Sequence, residues 1–157
     1  MYHALAGSPV QPGAYQWINT WVSADGADRG LHAGFLLEAA QILNRPGLKD
    51  AAEKFRESHK LWLVFADALL PGDAPLLGES KKLIQKKHDL FIDEGETALP
   101  EINRINARLN ELLAQSKSNF PLSNTQAAEL RGNLRDILLK ISAVEGQAVD
   151  LLQRAIL

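Results

Sequence analysis

Apolar residues recur along this chain at alternating spacings of four and three, the period that lays a continuous stripe down one face of an α-helix. Leu48, Ala52, Phe55, His59, Trp62, Ala66 and Leu69 form one stripe. Ile84, His88, Phe91, Gly95, Ala98, Ile102, Ile105, Leu109 and Leu112 form a second, and Leu130, Leu134, Ile137, Ile141, Val144, Ala148 and Leu151 a third. Turn signals separate them. Asp28 is a good N-cap for a helix from Arg29 to about Asn44, which Arg45, Pro46 and Gly47 stop. A second helix is predicted from Leu48 to Leu70, and Pro71, Gly72, Asp73 and Pro75 force the turn that follows.

A long helical region then runs from Leu76 to about Ser116. Pro100 either kinks or interrupts it, because proline lacks a backbone donor and clashes with the carbonyl four residues earlier; Thr97 is a candidate to recap the chain after a break. Ser123 and Gln126 have the spacing of a capping box that opens a helix to Leu157. The prolines and glycine before residue 14 make the first dozen residues a poor helix, and Tyr15, Trp17, Ile18 and Trp21 suggest a short apolar segment ending near Asp25 and Gly26. The predicted fold is all-α: an antiparallel bundle of about four main helices (28–157) behind a lead-in (1–27) with a short helical segment, its short connections implying antiparallel neighbours.

Composition narrows the function classes. At 157 residues and 46% hydrophobic, the chain can bury a core without staples. Seventeen basic against 19 acidic residues leave a formal charge of −2, which argues against nucleic acid or an anionic membrane as partner. There is no cysteine, hence no disulfide, thiolate metal site or cysteine nucleophile. No apolar run approaches the roughly 20 residues of a membrane span, and Met1 to Pro12 lacks a signal-peptide layout, so a cytoplasmic protein is expected. Glycine-rich phosphate loops and nucleophile elbows are missing, and Asp93, Glu94 and Glu96 read as a solvated face, so no catalytic residue is assigned.

Polar residues inside the stripes are the remaining candidates. Folding back about Asp73 places His59 and His88 at one level, where they could line a pocket in the bundle. His32 and Asp150 fall near the same height, but no histidine has the Glu-x-x-His spacing of bundle metal sites, so neither metal nor cofactor is expected. Folding about Phe120 sets Gly95 across from Val144 to Gly146, which reads as close helix packing. Glu38 lies in an apolar row with Leu31, Phe35 and Ile42, where a carboxylate ordinarily has an arginine partner. Lys81, Lys82, Lys86 and Lys87 form the one basic cluster, read as a solvated face with a docking patch for an acidic partner as the alternative.

The block from Arg29 to Leu43 (RGLHAGFLLEAAQIL), with Leu48 to Trp62, Ala66 to Pro71, Phe120 to Ser123, Val144, Glu145 and Ala148, resembles the C-terminal helical domain, of unknown function, of proteins similar to butirosin biosynthesis protein H. The resemblance spans about Trp21 to Leu152 and is sharpest from Arg29 to Ala40. It departs at His32, where that block carries an aromatic residue, and at Ser23 to Ala27, where relatives are richer in glycine. Such proteins carry an N-terminal half resembling a cysteine peptidase, whose thiol takes an acyl group from a carrier protein and passes it to an aminoglycoside amine. The resemblance implies that this cysteine-free chain is the non-catalytic companion, with that half or the carrier protein as neighbour and with Arg29 and Glu38 as the contact. Two alternatives stand beside it: a free-standing homodimer formed through the helical seams or Trp17 and Trp21, and a small-molecule or metal-binding bundle around His59 and His88.

Overall fold

The computed structural model describes residues 1–9, 11–19 and 28–157. The chain is all-α, with a two-residue hairpin as its only sheet among the described residues. Helix α1 (Tyr2–Ala6) leads into β1 (Gly7–Ser8) and β2 (Gln11–Pro12), then α2 (Ala14–Trp17). The long elements are α3 (Arg29–Ile42), α4 (Gly47–Leu69), α5 (Pro75–Glu94), α6 (Leu99–Ser118) and α7 (Asn124–Ile156). Every long helix predicted from the periodicity is present, with ends within a few residues of expectation.

Each boundary has a local cause. The Asp28 carboxylate accepts the Gly30 amide and caps α3. At the far end Asn44 takes a left-handed φ of 51°, with the Asn44 amide bonded to Gln41 and the Arg45 amide to Ala40, which together are a Schellman closure. Ser123 and Gln126 exchange both bonds of the capping box at the start of α7.

The long third region is broken, not kinked. Gly95, at a φ of 57°, ends α5, a 3-10 turn (Gly95–Ala98) follows, and Pro100 then sits in the first turn of α6, where a missing backbone donor costs nothing. The sequence therefore yields five long helices instead of four. Thr97 does not recap α6: its hydroxyl donates to the Glu94 carbonyl and closes the end of α5. The expectation of a helix-poor first dozen is likewise corrected, since Tyr2–Ala6 is helical. Tyr2 and Leu5 are buried there, and the Tyr2 hydroxyl bonds Ser80, whose own proton goes to the Leu76 carbonyl. Burial pushes the Tyr2 hydroxyl pKa up, against the opposing effect of the Ser80 bond.

The contacts divide into two compact units. One holds Met1–Trp17 and Asp67–Leu130; the other holds Ile18–Ala66 and Arg131–Leu157. In the first, α5 and α6 pack on each other and on α1, burying Leu77, Ile84, Ile102, Ile105, Leu109 and Leu112. Two glycines set the turn before α5: a Cβ on Gly78 would stand 2.8 Å from the Gly72 carbonyl oxygen. In the second unit, small residues let α3 and α4 approach closely. Ala33, Ala40, Ala51 and Ala52 interleave with Leu36 and Leu48, and Phe55, Leu151, Leu152 and Ala155 pack around them. Gly47 lies against Ala155, and the Arg45 guanidinium donates to the Ala155 carbonyl, tying the end of α3 to the end of α7.

Candidate functional site

The second unit concentrates its buried polar chemistry at the N-terminal end of α3. The hub is Glu145 on α7. Its Oε1 accepts from Arg29 Nε at 2.8 Å, Ser58 Oγ at 2.7 Å and Trp62 Nε1 at 3.0 Å, while Oε2 meets Arg29 Nη2 at 3.5 Å. The Arg29 guanidinium also lies 5.7 Å from the Trp62 ring centroid, within cation–π reach. Burial pushes the Glu145 carboxyl up, but the bonds from Arg29, Ser58 and Trp62 outweigh it and hold the group below the usual carboxylate range. Glu145 is thus ionised, with three donors converging on its Oε1. Ser58 is fully buried and donates its proton to that carboxylate.

Asp28 and His59 sit beside this hub. His59 Nδ1 lies 3.0 Å from Asp28 Oδ1, near enough for an ion pair when the imidazole is protonated but without hydrogen-bond geometry. A Cβ on Gly30 would meet both side chains, so glycine lets α4 come up under the first turn of α3. His32 fills an aromatic role: its ring meets Phe55 edge-on at 4.5 Å between centroids and stacks near Phe35 at 6.3 Å.

Above the hub runs an open groove of about 590 Å³, lined by Asp28, Arg29, Leu31, His32, Phe35, Phe55, Glu145 and Val149. Two of its α3 residues face solvent, Leu31 at 67% and Phe35 at 63% exposed, and Ile42, farther along α3, is 81% exposed. Glu38 lies in the same row, is exposed, and makes no ion pair among the described residues, so the arginine partner expected for it is not there.

The sequence candidates are therefore scattered. Arg29 turns onto Glu145, Glu38 points outward along α3, His59 meets Asp28, and His88 is half-buried on α5 in the other unit. No group of three or more His, Asp or Glu side chains is gathered as a metal site among the described residues. Gly95 and Gly146 do not serve close packing, since a Cβ on either would meet no atom within 4 Å; Gly95 is needed for its positive φ. Trp17 is half exposed, and Trp21 lies outside the described residues, as do Ser23 to Ala27.

The basic cluster is largely neutralised within its own unit. Lys81 pairs with Asp67, Lys86 with Glu101, and Lys87 donates to the Pro9 carbonyl, with desolvation pulling the Lys87 pKa down. A concave surface of about 500 Å³ there is lined by Tyr15, Gly72, Gly78, Lys81, Lys82 and Lys86 among others. Sequence reasoning missed Ser58 and Trp62 as partners of Glu145. The available signal was their helical spacing, four apart on α4, beside the Arg29 and Glu145 blocks.

No helix among the described residues is long and apolar enough to cross a membrane. Comparison with protein-family models, with curated proteins and with solved structures finds no match.

Proposed function

We propose that this chain is a non-catalytic, cytoplasmic helical interaction domain that docks a neighbouring protein through the outward face of α3. The observation that carries this reading is the exposed row Leu31, Phe35 and Ile42. Three large apolar side chains in one row leave open an apolar surface whose burial by a partner would be favourable. The Glu145 carboxylate, whose Oε1 is held by three donors, and the buried Ser58 support the non-catalytic part of the reading. Arg29 then acts indirectly, by seating the first turn of α3 on α4 and α7, while Glu38 supplies the polar contact within the docking face. In keeping with the resemblance to butirosin biosynthesis protein H-like proteins, the proposed neighbour is a cysteine peptidase-like acyltransferase domain or its carrier protein.

The test compares the wild-type chain with Phe35→Ser and Ile42→Ser, both surface changes. The native reading frame is sequenced, tagged chains are recovered from source cells, and bound proteins are identified by mass. A thiol-bearing acyltransferase-like protein or an acyl carrier retained by wild type and lost by both variants is the expected result. Identical recoveries with all three chains overturn the docking face. A concentration-dependent mass in sedimentation that both substitutions abolish replaces the neighbour with a second copy, the homo-oligomeric alternative.

A further inference from the structure

The cavity at the N-terminal end of α3 lies within one compact unit and joins two kinds of surface. One is aromatic and apolar. His32 and Phe35 of α3 and Phe55 of α4 gather three rings, His32 edge-on to Phe55 at 4.5 Å and stacked near Phe35 at 6.3 Å between centroids, and Leu31 and Val149 add exposed apolar surface. The other is anionic. Asp28 and Glu145 both line the cavity, with side chains only 12% and 27% exposed. Asp28 Oδ1 accepts the Gly30 amide and lies beside His59, whereas Oδ2 accepts nothing among the described residues. Glu145 Oε1 holds three donors, whereas Oε2 has only the 3.5 Å contact from Arg29 Nη2, at the limit of a hydrogen bond. An ionised carboxylate has about four acceptor sites, so both groups keep capacity for a further donor.

We infer that this cavity binds a small organic cation, a primary amine on a flat apolar body, with the ammonium set against Asp28 and Glu145 and the body against the rings of His32, Phe35 and Phe55. Its volume of about 590 Å³ falls within the roughly 300–1,000 Å³ of small-molecule sites, which join apolar and aromatic walls to a few convergent polar groups. The charge selects the ligand. Two carboxylates against one guanidinium leave the lining with a formal charge of −1 when histidine is neutral, and Arg29 already directs Nε and Nη2 at Glu145. An anion would meet both carboxylates and would have to draw Arg29 off Glu145. A neutral body gains the aromatic contact alone. An amine gains both, since its ammonium carries three donors for the spare carboxylate oxygens and is attracted to ring faces. Partial burial makes that pairing stronger than one between exposed charges. The inference stands apart from the docking reading, because it requires no partner protein and turns on Asp28, Glu145 and Val149, outside the row of Leu31, Phe35 and Ile42.

The test uses the full chain and three ligands that share an indole body: tryptamine, neutral tryptophol and anionic indoleacetate. Each is titrated near neutral pH at low salt and followed by amide NMR. Tryptamine is expected to bind saturably and to perturb the amides of Arg29, Phe35, Phe55 and Val149. It should bind roughly tenfold more tightly than tryptophol, the reach of one charge-assisted hydrogen bond in a partly buried site, with indoleacetate weakest of the three. Added salt should narrow that ratio. Asp28→Asn keeps a side chain able to cap α3 and is expected to cut the amine's advantage roughly threefold. Val149→Lys, at an exposed position outside the Glu145 bonds, brings a cation to the cavity and is expected to weaken tryptamine roughly tenfold while strengthening indoleacetate. Thermal melts check that each variant folds, and the ligand order with the wild-type chain decides on its own where one does not. Failure of tryptamine to saturate, equal binding by tryptophol, tighter binding by indoleacetate, perturbations mapping to the other unit, or a folded Val149→Lys chain that binds tryptamine as wild type does each overturn the inference.

Discussion

Replacing Glu145 by alanine should destabilise the second unit more than any other single polar change. The substitution removes an acceptor shared by three donors. The Arg29 bond is charge-assisted and partly buried, with side-chain exposures of 23% and 27% for the two residues, and such bonds contribute about 1.5–3 kcal/mol. Ser58 is fully buried and cannot turn to water, so its stranded hydroxyl adds about 1–3 kcal/mol. Trp62 is half-buried and adds less. The first two terms sum to about 2.5–6 kcal/mol, a range that brackets the roughly 3–5 kcal/mol usual for breaking a buried pair. Glu145→Gln keeps an acceptor for Ser58 and Trp62 but loses the charge opposite Arg29, and should cost about 1–2 kcal/mol. Urea denaturation near pH 7, with Trp62 among the fluorescence reporters, reads both. An alanine variant within about 1 kcal/mol of wild type, or a glutamine variant as unstable as the alanine one, would refute the assignment of Glu145 as the hub.

Acid should weaken the fold through the same group and two others. Hydrogen bonds from Arg108 hold the Glu79 carboxyl low, those from Lys86 and Arg104 hold Glu101 low, and those from Arg29, Ser58 and Trp62 hold Glu145 low against its burial. Each binds its proton less readily folded than unfolded, so its stabilisation is full above the ordinary value of 4.5 and is lost as pH falls through the folded value. The urea midpoint should therefore drop between pH 6 and pH 3, and drop less in Glu145→Gln. Gly78→Ala forces a Cβ to within 2.8 Å of the Gly72 carbonyl oxygen and should cost about 1–3 kcal/mol, whereas Gly146→Ala, in open helix, should add about 0.5–1 kcal/mol; thermal melting reads the opposite signs. Ser123→Ala removes the capping box at the start of α7 and should cost about 1 kcal/mol, seen as faster amide exchange over the first turn.

Helix identity was written locally and was legible. The four-three stripes, Asp28 as a cap, and the reciprocal bonds of Ser123 and Gln126 are decided by residues within one or two turns of each other, so the chain alone determined α3, α4 and α7 closely. The break between α5 and α6 was half legible. Pro100 announced an interruption, but its placement depended on Gly95 reaching a positive φ five residues earlier, which lets the proline fall in a first turn. The helix at Tyr2–Ala6 was hidden because its support comes from 78 positions away, where Ser80 receives the Tyr2 hydroxyl.

The candidate site was set by tertiary structure almost throughout. Arg29 and Glu145 each stood in the blocks that carry the resemblance, but their pairing joins residues 116 positions apart, and periodicity gives height along a helix without saying which neighbour it meets. Folding back as simple hairpins gives Gly95 and Gly146 a packing role, whereas a Cβ on either meets no atom within 4 Å. Glu38 shows the same limit from the other side. Its row with Leu31, Phe35 and Ile42 was plain in the sequence as an apolar face, and a face of that kind is ordinarily turned inward. Only the arrangement of α3 on α4 and α7 decided that Ala33, Leu36 and Ala40 would fill the core and that this second row would be left outside, because small residues let the helices close on the other side.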